Sequence, residues 1–291
     1  MKIGLALPVF SDDAAKPLEF AARAAGLGYH GLFAADHLFP PMGPAFPSLE
    51  AFSTLSAVAA RHPGVTVGTL VTRVTLRPAG MLAKQAAALD HLSGGNAVIA
   101  LGTGDKISIP EHETFGLPFA PIAERRALLE ETVHALKDLF AARPWPGGAH
   151  VPAMAGPLLP PPIRPGGPPV WVGGTADAAV DIAARVADGW NGWGLDADGF
   201  AVKAERLRAG GRDVLATWGG IAVVGEDRGD LERLLSARAD RGLSAGDVWT
   251  GTADELRAFA DRLREAGCGY AIFLPGGPAD RLDLIARTLL S

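Results

Sequence analysis

One cysteine, Cys268, stands among 291 residues. That excludes an internal disulfide and fits a reducing compartment. Basic residues nowhere form a run interleaved with aromatics, and the net charge is −5, so a nucleic-acid partner is not expected. No stretch approaches the roughly eighteen uninterrupted apolar residues of a membrane span, so no membrane association is expected. The N-terminal MKIGLALPVF carries one lysine and an apolar run that stops at Pro8. The run is short for the apolar core of a signal peptide and reads better as a first buried strand. A cytoplasmic protein with a small-molecule partner is the resulting expectation. Metal ligands are scarce as well. His112 lies between Glu111 and Glu113, but no second histidine follows at ligand spacing, so no metal is expected. The charges of this loop read as solvated.

What is present is alternation. Hydrophobic residues make up 48% of the chain and charged ones 20%, in the range of a globular protein. Short apolar runs predict strands over 3–9, 31–36, 65–72, 96–104, 169–174, 188–194, 217–225 and 269–277. Helical spacing, Gly or Pro-Gly stops and a Pro at one first turn predict helices over 17–29, 49–64, 78–95 and 122–140. Further helices are predicted over 176–187, 197–209, near 229–240, over 253–266 and over 279–290. Pro and Gly fill half of residues 141–168, an irregular excursion. About eight strand–helix units in one chain of this length predict an α/β fold, a (β/α)8 TIM barrel in a single domain spanning 1–291. The competing doubly wound sheet would want G-x-G-x-x-G after the first strand. That place holds PVFSDDAAK.

Barrel chemistry sits on the loops leaving the C-terminal strand ends. Those ends gather Asp36-His37, Leu70-Val71-Thr72, Gly102-Thr103-Gly104-Asp105, Gly173-Gly174-Thr175, Asn191 and Trp193 on one rim. His37 and Asp105 are the candidates for proton transfer, since an imidazole of unperturbed pKa about 6.5 exchanges a proton near neutrality. Asp36 precedes His37 and should point the other way, anchoring the loop. In GGTADAA the two glycines allow close backbone approach, and Thr175 is expected to cap the next helix, whose free N–H groups favour an anion. The Pro-rich loop FPPMGPAF over 39–46 suits a substrate-pocket wall or a subunit contact, and a homodimer is expected. Trp171, Trp190 and Trp193 are candidates to line the pocket. Cys268 reads as a small buried hydrophobe.

Four stretches taken together resemble the bacterial luciferase-like family of flavin- and deazaflavin-dependent oxidoreductases: GYHGLFAADH, VGTLVTRVTLRPAGMLAKQAAALDHLSGG, ALGTGD and VWVGGTADAAVDIAARVADGW. The resemblance runs from Met1 to about Trp193, with weaker agreement over 248–274. It implies a (β/α)8 barrel. Asp-His after the second strand and Gly-Thr-Gly-Asp after the fourth most resemble members that use coenzyme F420; FMN is the alternative. Gly95-Asn96 departs from the Gly-Arg common in the family. Carried over residue by residue, the resemblance puts His37 against the middle of the ring and makes Leu70-Val71 a non-proline cis peptide behind it. Thr103 and Gly104 would touch the ring or its ribityl chain, and Gly173, Gly174 and Thr175 the phosphate. Three activities follow as expectations: F420-dependent hydride transfer, with His37 and Asp105 managing the accompanying proton; flavin-dependent monooxygenation; or flavin binding without catalysis.

Overall fold

The strand GLFA (β2, Gly31–Ala34) and the strand AVIALG (β4, Ala97–Gly102) are buried at every position. Strands buried on both faces belong to a parallel sheet covered by helices. A computed structural model describing residues 1–243 and 248–290 has that arrangement. The other strands are β1 (Lys2–Ala6), β3 (Thr66–Arg73), β5 (Val170–Gly173), β6 (Gly189–Trp193), β7 (Leu215–Gly225), β8 (Val248–Thr252) and β9 (Tyr270–Pro275). All pair in parallel. β1 joins β2 on one side and β9 on the other, and β6 joins both β5 and β7, so β1–β7 and β9 close into an eight-stranded barrel.

Around it run α1 (Ala15–Gly26), α2 (Ala51–Arg61), α3 (Ala79–Leu92), α4 (Ile109–Thr114) and α5 (Ile122–Phe140), then α6 (Asp177–Val186), α7 (Ala197–Ala209), α8 (Arg228–Ala239), α9 (Ala253–Glu265) and α10 (Arg281–Leu289). Local chemistry sets several starts. Asp196 accepts from Gly199 N at 2.7 Å to open α7, and Thr252 with Glu255 forms a capping box at α9. Among the described residues no helix is long and apolar enough to cross a membrane.

Two elements lie outside the sequence reading. β8 pairs with Ile221–Gly225, the part of β7 that runs on beyond its pairing with β6. It widens the sheet above the barrel rather than closing it. α4, together with a 3-10 turn over Lys106–Ser108, occupies what reads as an open loop. The 141–168 excursion is irregular as expected, with one antiparallel bridge between Trp145 and Met154. It is nevertheless tied down: Glu131 of α5 accepts the N–H groups of Ala149, His150 and Val151 at 3.0, 2.8 and 2.8 Å. Asp90 of α3 accepts from Arg164 N at 2.9 Å.

The barrel interior is solid. Phe33, Trp171 and Tyr270 fill it with Leu70, Val98, Ala100 and Ile272. Phe33 stacks on Trp171 with centroids 5.8 Å apart and meets Tyr270 edge-on at 5.5 Å. Glycine makes the room: a Cβ on Gly31 would stand 2.1 Å from the Tyr270 hydroxyl, and one on Gly189 2.5 Å from the Trp171 ring. Of the candidate pocket tryptophans, Trp171 thus belongs to the barrel filling. Trp190 faces the helical layer, stacked on Phe200 of α7 at 5.5 Å. Only Trp193 is exposed, at the end of β6.

Candidate active site

β2 ends at Ala34, and the chain then leaves the barrel carrying Asp36 and His37 on diverging paths. Asp36 is buried and takes a bidentate pair from Arg77, whose Nη2 lies 3.1 Å from Oδ1 while Nη1 bonds Oδ2. Arg77 stands in the β3–α3 connection, 5.1 Å over the Phe52 ring. Asp36 therefore anchors the second loop to the third, as its alternation predicts.

His37 turns to a different partner. Its Nδ1 lies 2.7 Å from Glu111 Oε1. An ionised carboxylate only accepts, so Nδ1 carries the proton and Nε2 is left as the free ring nitrogen. Among the described residues Nε2 has no hydrogen-bond partner. The imidazole is about one-fifth exposed, and Phe10 of the first loop meets it edge-on at 5.8 Å.

Behind His37 is a buried relay. The second oxygen of Glu111 accepts from Arg73 Nη2 at 2.6 Å and from Leu38 N at 2.7 Å. Burial pushes the Glu111 carboxyl up, but the bond from His37, His37's charge, the Leu38 N–H and Arg73 together outweigh it and hold the group below its ordinary range. Glu111 is thus not one of the solvated loop charges expected from the sequence. It sits at 1% exposure on α4, which follows the 3-10 turn that Asp105 caps by accepting from Ile107 N at 3.1 Å. His112, also buried, has both ring nitrogens engaged: Nδ1 donates to Pro118 O at 2.9 Å and Nε2 lies 3.3 Å from the Thr75 hydroxyl.

Asp105 itself is exposed, and no hydrogen bond links it to His37. Its Oδ1 caps the turn, leaving Oδ2 open. Thr103 donates to Gly104 O at 3.1 Å, and Gly104 takes the left-handed φ of 70° over the Arg73 stem.

The floor of the mouth is made by a bulge. The Leu70–Val71 peptide is cis, as the resemblance implies, and the β3–β4 register shifts between Thr69 and Thr72. Val71 lies across the ends of two neighbouring strands, and glycines receive it. A Cβ on Gly102 would stand 2.7 Å from one Val71 methyl, and one on Gly173 2.6 Å from the other. Next to it, buried polar atoms go unmet: Thr72 Oγ1 and Arg73 Nε and Nη1 have no hydrogen-bond partner.

At the β5 end the sequence reading needs a correction. The residue preceding α6 is Ala176, with no side-chain cap; Thr175 lies one position earlier and is exposed. Asp177, in the first turn of the helix, pairs with Lys203 at 2.5 Å and Arg206 at 3.5 Å on α7. Gly174 has φ 140° and its carbonyl accepts from Trp190 Nε1 at 2.8 Å. Cys268 is buried, and that burial pushes its thiol up to about 11, so it is the inert hydrophobe expected.

A closed parallel barrel, a cis bulge within β3 and an Asp-His pair after β2 thus meet at one mouth. Residues 1–272 match the luciferase-like monooxygenase family, and the chain belongs to it. It is 29% identical over 175 residues to an F420-dependent glucose-6-phosphate dehydrogenase of Microbacterium testaceum, covering 60% of this chain and 51% of that protein. A protein of the same description from Nakamurella multipartita is 30% identical over 176 residues, covering 59% and 50%. The chain thus spans about half the length of these relatives. Among solved structures, an F420-dependent secondary alcohol dehydrogenase in complex with an F420–acetone adduct superposes with TM-score 0.84 at 17% identity, covering 99% of this chain and 98% of that one. A monooxygenase from Streptomyces bottropensis gives 0.77 at 22% identity, covering 100% and 99%. At such identities the likeness is one of fold.

Proposed function

We propose that the protein is an oxidoreductase that holds coenzyme F420 at the barrel mouth and moves a hydride to or from a small organic molecule. The observation that carries this reading is His37, with one nitrogen fixed by a buried carboxylate–arginine pair and the other free at the mouth. When bound, the deazaflavin supplies the two-electron hydride chemistry, with carbon where a flavin has N5 and hence little reaction with dioxygen.

The residues present fit such a group. Val71, seated over Gly102 and Gly173, offers an apolar surface to one face of a planar ring. The unmet donors of Thr72 and Arg73 suit a ligand rich in carbonyl oxygens. Leu70, Val71, His37, Thr103 and Gly104 would hold the ring and its chain, and Gly173, Gly174 and Thr175 the phosphate. His37 Nε2 takes or gives the proton that accompanies the hydride, and Glu111 stabilises the imidazolium. Asp105, through its free Oδ2, is the second proton-handling group. The relatives named as F420-dependent support this cofactor, and the similar fold of a monooxygenase keeps FMN as the alternative. We take residues 1–291 as one such domain, working as a cytoplasmic homodimer.

Titration with F420 and with FMN, followed by ring fluorescence, tests the reading. F420 is expected to bind at least tenfold more tightly, roughly 1.4 kcal/mol. Equal or reversed affinities would overturn it in favour of a flavin monooxygenase.

A further inference from the structure

Outside the barrel mouth, a cavity of about 400 Å³ opens between α3 and α5. Its walls come from the chain leaving β3 (residues 74–79), the segment around 117–120 after α4, one face of α5, and residues 150–152 of the Pro-rich excursion. None of the residues proposed above to hold F420 lines it.

One cation in this wall has no counter-charge. Arg125 of α5 is 6% exposed, with its guanidinium 3.8 Å over the Phe119 ring. Its Nη1 donates to Ala120 O at 2.7 Å and its Nη2 to Gly104 O at 3.4 Å. Two of the five N–H groups of the guanidinium are thus used, and Nε is buried with no partner. Among the described residues Arg125 makes no ion pair; both acceptors are uncharged carbonyls. Burial accordingly pushes its pKa down, and Asp105 offsets only part of that. The neighbouring arginines differ: Arg77, in the same wall, is paired with Asp36, and Arg73 with Glu111. A buried charge without a partner is costly, and an anion placed beside it offsets that cost through charge-assisted hydrogen bonds.

We propose that this cavity binds a small monocarboxylate with an apolar body, its carboxylate resting on Arg125. The site is separate from the one that handles hydride and does not rest on that reading. A single charge suits one unpaired guanidinium, and Glu124, exposed at the cavity's edge, repels a second negative charge. The apolar body suits the wall that Leu76, Leu117, Leu128 and Val151 supply. An occupant would touch two segments that stand behind His37. One carries Arg77, which anchors Asp36; the other carries Pro118, whose carbonyl accepts from His112 beside Glu111.

Benzoate is the probe, with benzyl alcohol and inorganic phosphate as controls, and binding to the whole chain is followed by saturation-transfer NMR. Benzoate is expected to bind at least about tenfold more tightly than benzyl alcohol, and phosphate at equal concentration should not displace it. Arg125→Met should weaken benzoate about tenfold. Leu128→Phe, which fills the cavity and leaves the charge in place, should weaken it as well. Glu124→Gln, at an exposed position, should tighten it about twofold. Saturating F420 or FMN should leave benzoate bound. Equal affinities for benzoate and benzyl alcohol, displacement by phosphate, or wild-type benzoate binding in Arg125→Met would overturn the proposal. Displacement by either cofactor would also overturn it, because benzoate would then sit at the barrel mouth or Arg125 would serve a cofactor phosphate. Should circular dichroism show Arg125→Met unfolded, the other two variants decide, and wild-type affinity in both would overturn it.

Discussion

Glu111 meets His37 Nδ1, Leu38 N and Arg73 Nη2 within 2.7 Å while almost wholly buried. A carboxylate so held chooses which imidazole nitrogen carries the proton and balances the imidazolium when Nε2 accepts one. Glu111→Gln keeps the shape and removes the charge. It is expected to slow single-turnover hydride transfer by about 10²-fold, within the usual worth of acid–base catalysis, with little change in F420 affinity. The variant also has a pH signature. The folded-state pKa of Glu111 lies below its unfolded value of about 4.3. The stability this group contributes is therefore present above that value and lost as pH falls through the folded pKa. Thermal melts from neutral pH down to about pH 3 should show the gap between wild type and Glu111→Gln closing on acidification. A gap that stays constant would mean that the folded-state pKa of Glu111 is not lowered from its unfolded value. None of this was legible locally. Glu111 lies 74 residues from His37 and 38 from Arg73, in a string of acids and a histidine with no helical period to give away its burial. Asp36 and His37 were legible, because a hydrophobic run that ends in two polar residues places them on different sides and at the rim.

At the scale of elements, the mouth depends on glycines in β4 and β5 as much as on the bulge in β3. Gly102→Ala would set a Cβ 2.7 Å from a Val71 methyl, closer than real contacts allow. Val71 would have to move. F420 binding is expected to weaken by about tenfold, roughly 1.4 kcal/mol, while circular dichroism shows an intact barrel. Unchanged affinity would mean that Val71 does not back the ring. These glycines stand out in the sequence as strand-end glycines, but their partner does not, because the contact is between strands. The strands themselves were readable where burial is continuous. VWTGT of β8 was not, since only Gly251 of the five is buried and no apolar run or alternation marks it. Thr175 looks like a local cap in the sequence, but α6 begins one position later, after Ala176, with no side-chain cap.

Across the whole molecule, the closed barrel buries three aromatic rings at its centre and delivers every strand-end group to one side. Strand–helix alternation and loop placement follow from periodicity alone, which is why the architecture and the rim were readable. The buried relay behind His37 needed the folded chain to bring α4 beneath the second loop. With that relay, His37 Nε2 stands free at the mouth, facing the place where we propose that the deazaflavin binds. Long-range ¹H–¹⁵N NMR of the histidine rings, recorded before and after saturation with F420, tests it without any substrate. The Nε2 resonance of His37, assigned with His37→Gln, is expected to shift on cofactor binding, while its Nδ1 keeps the signature of a proton held by Glu111 and the buried His112 does not respond. Saturation with F420 that leaves both His37 nitrogens unmoved would contradict the account.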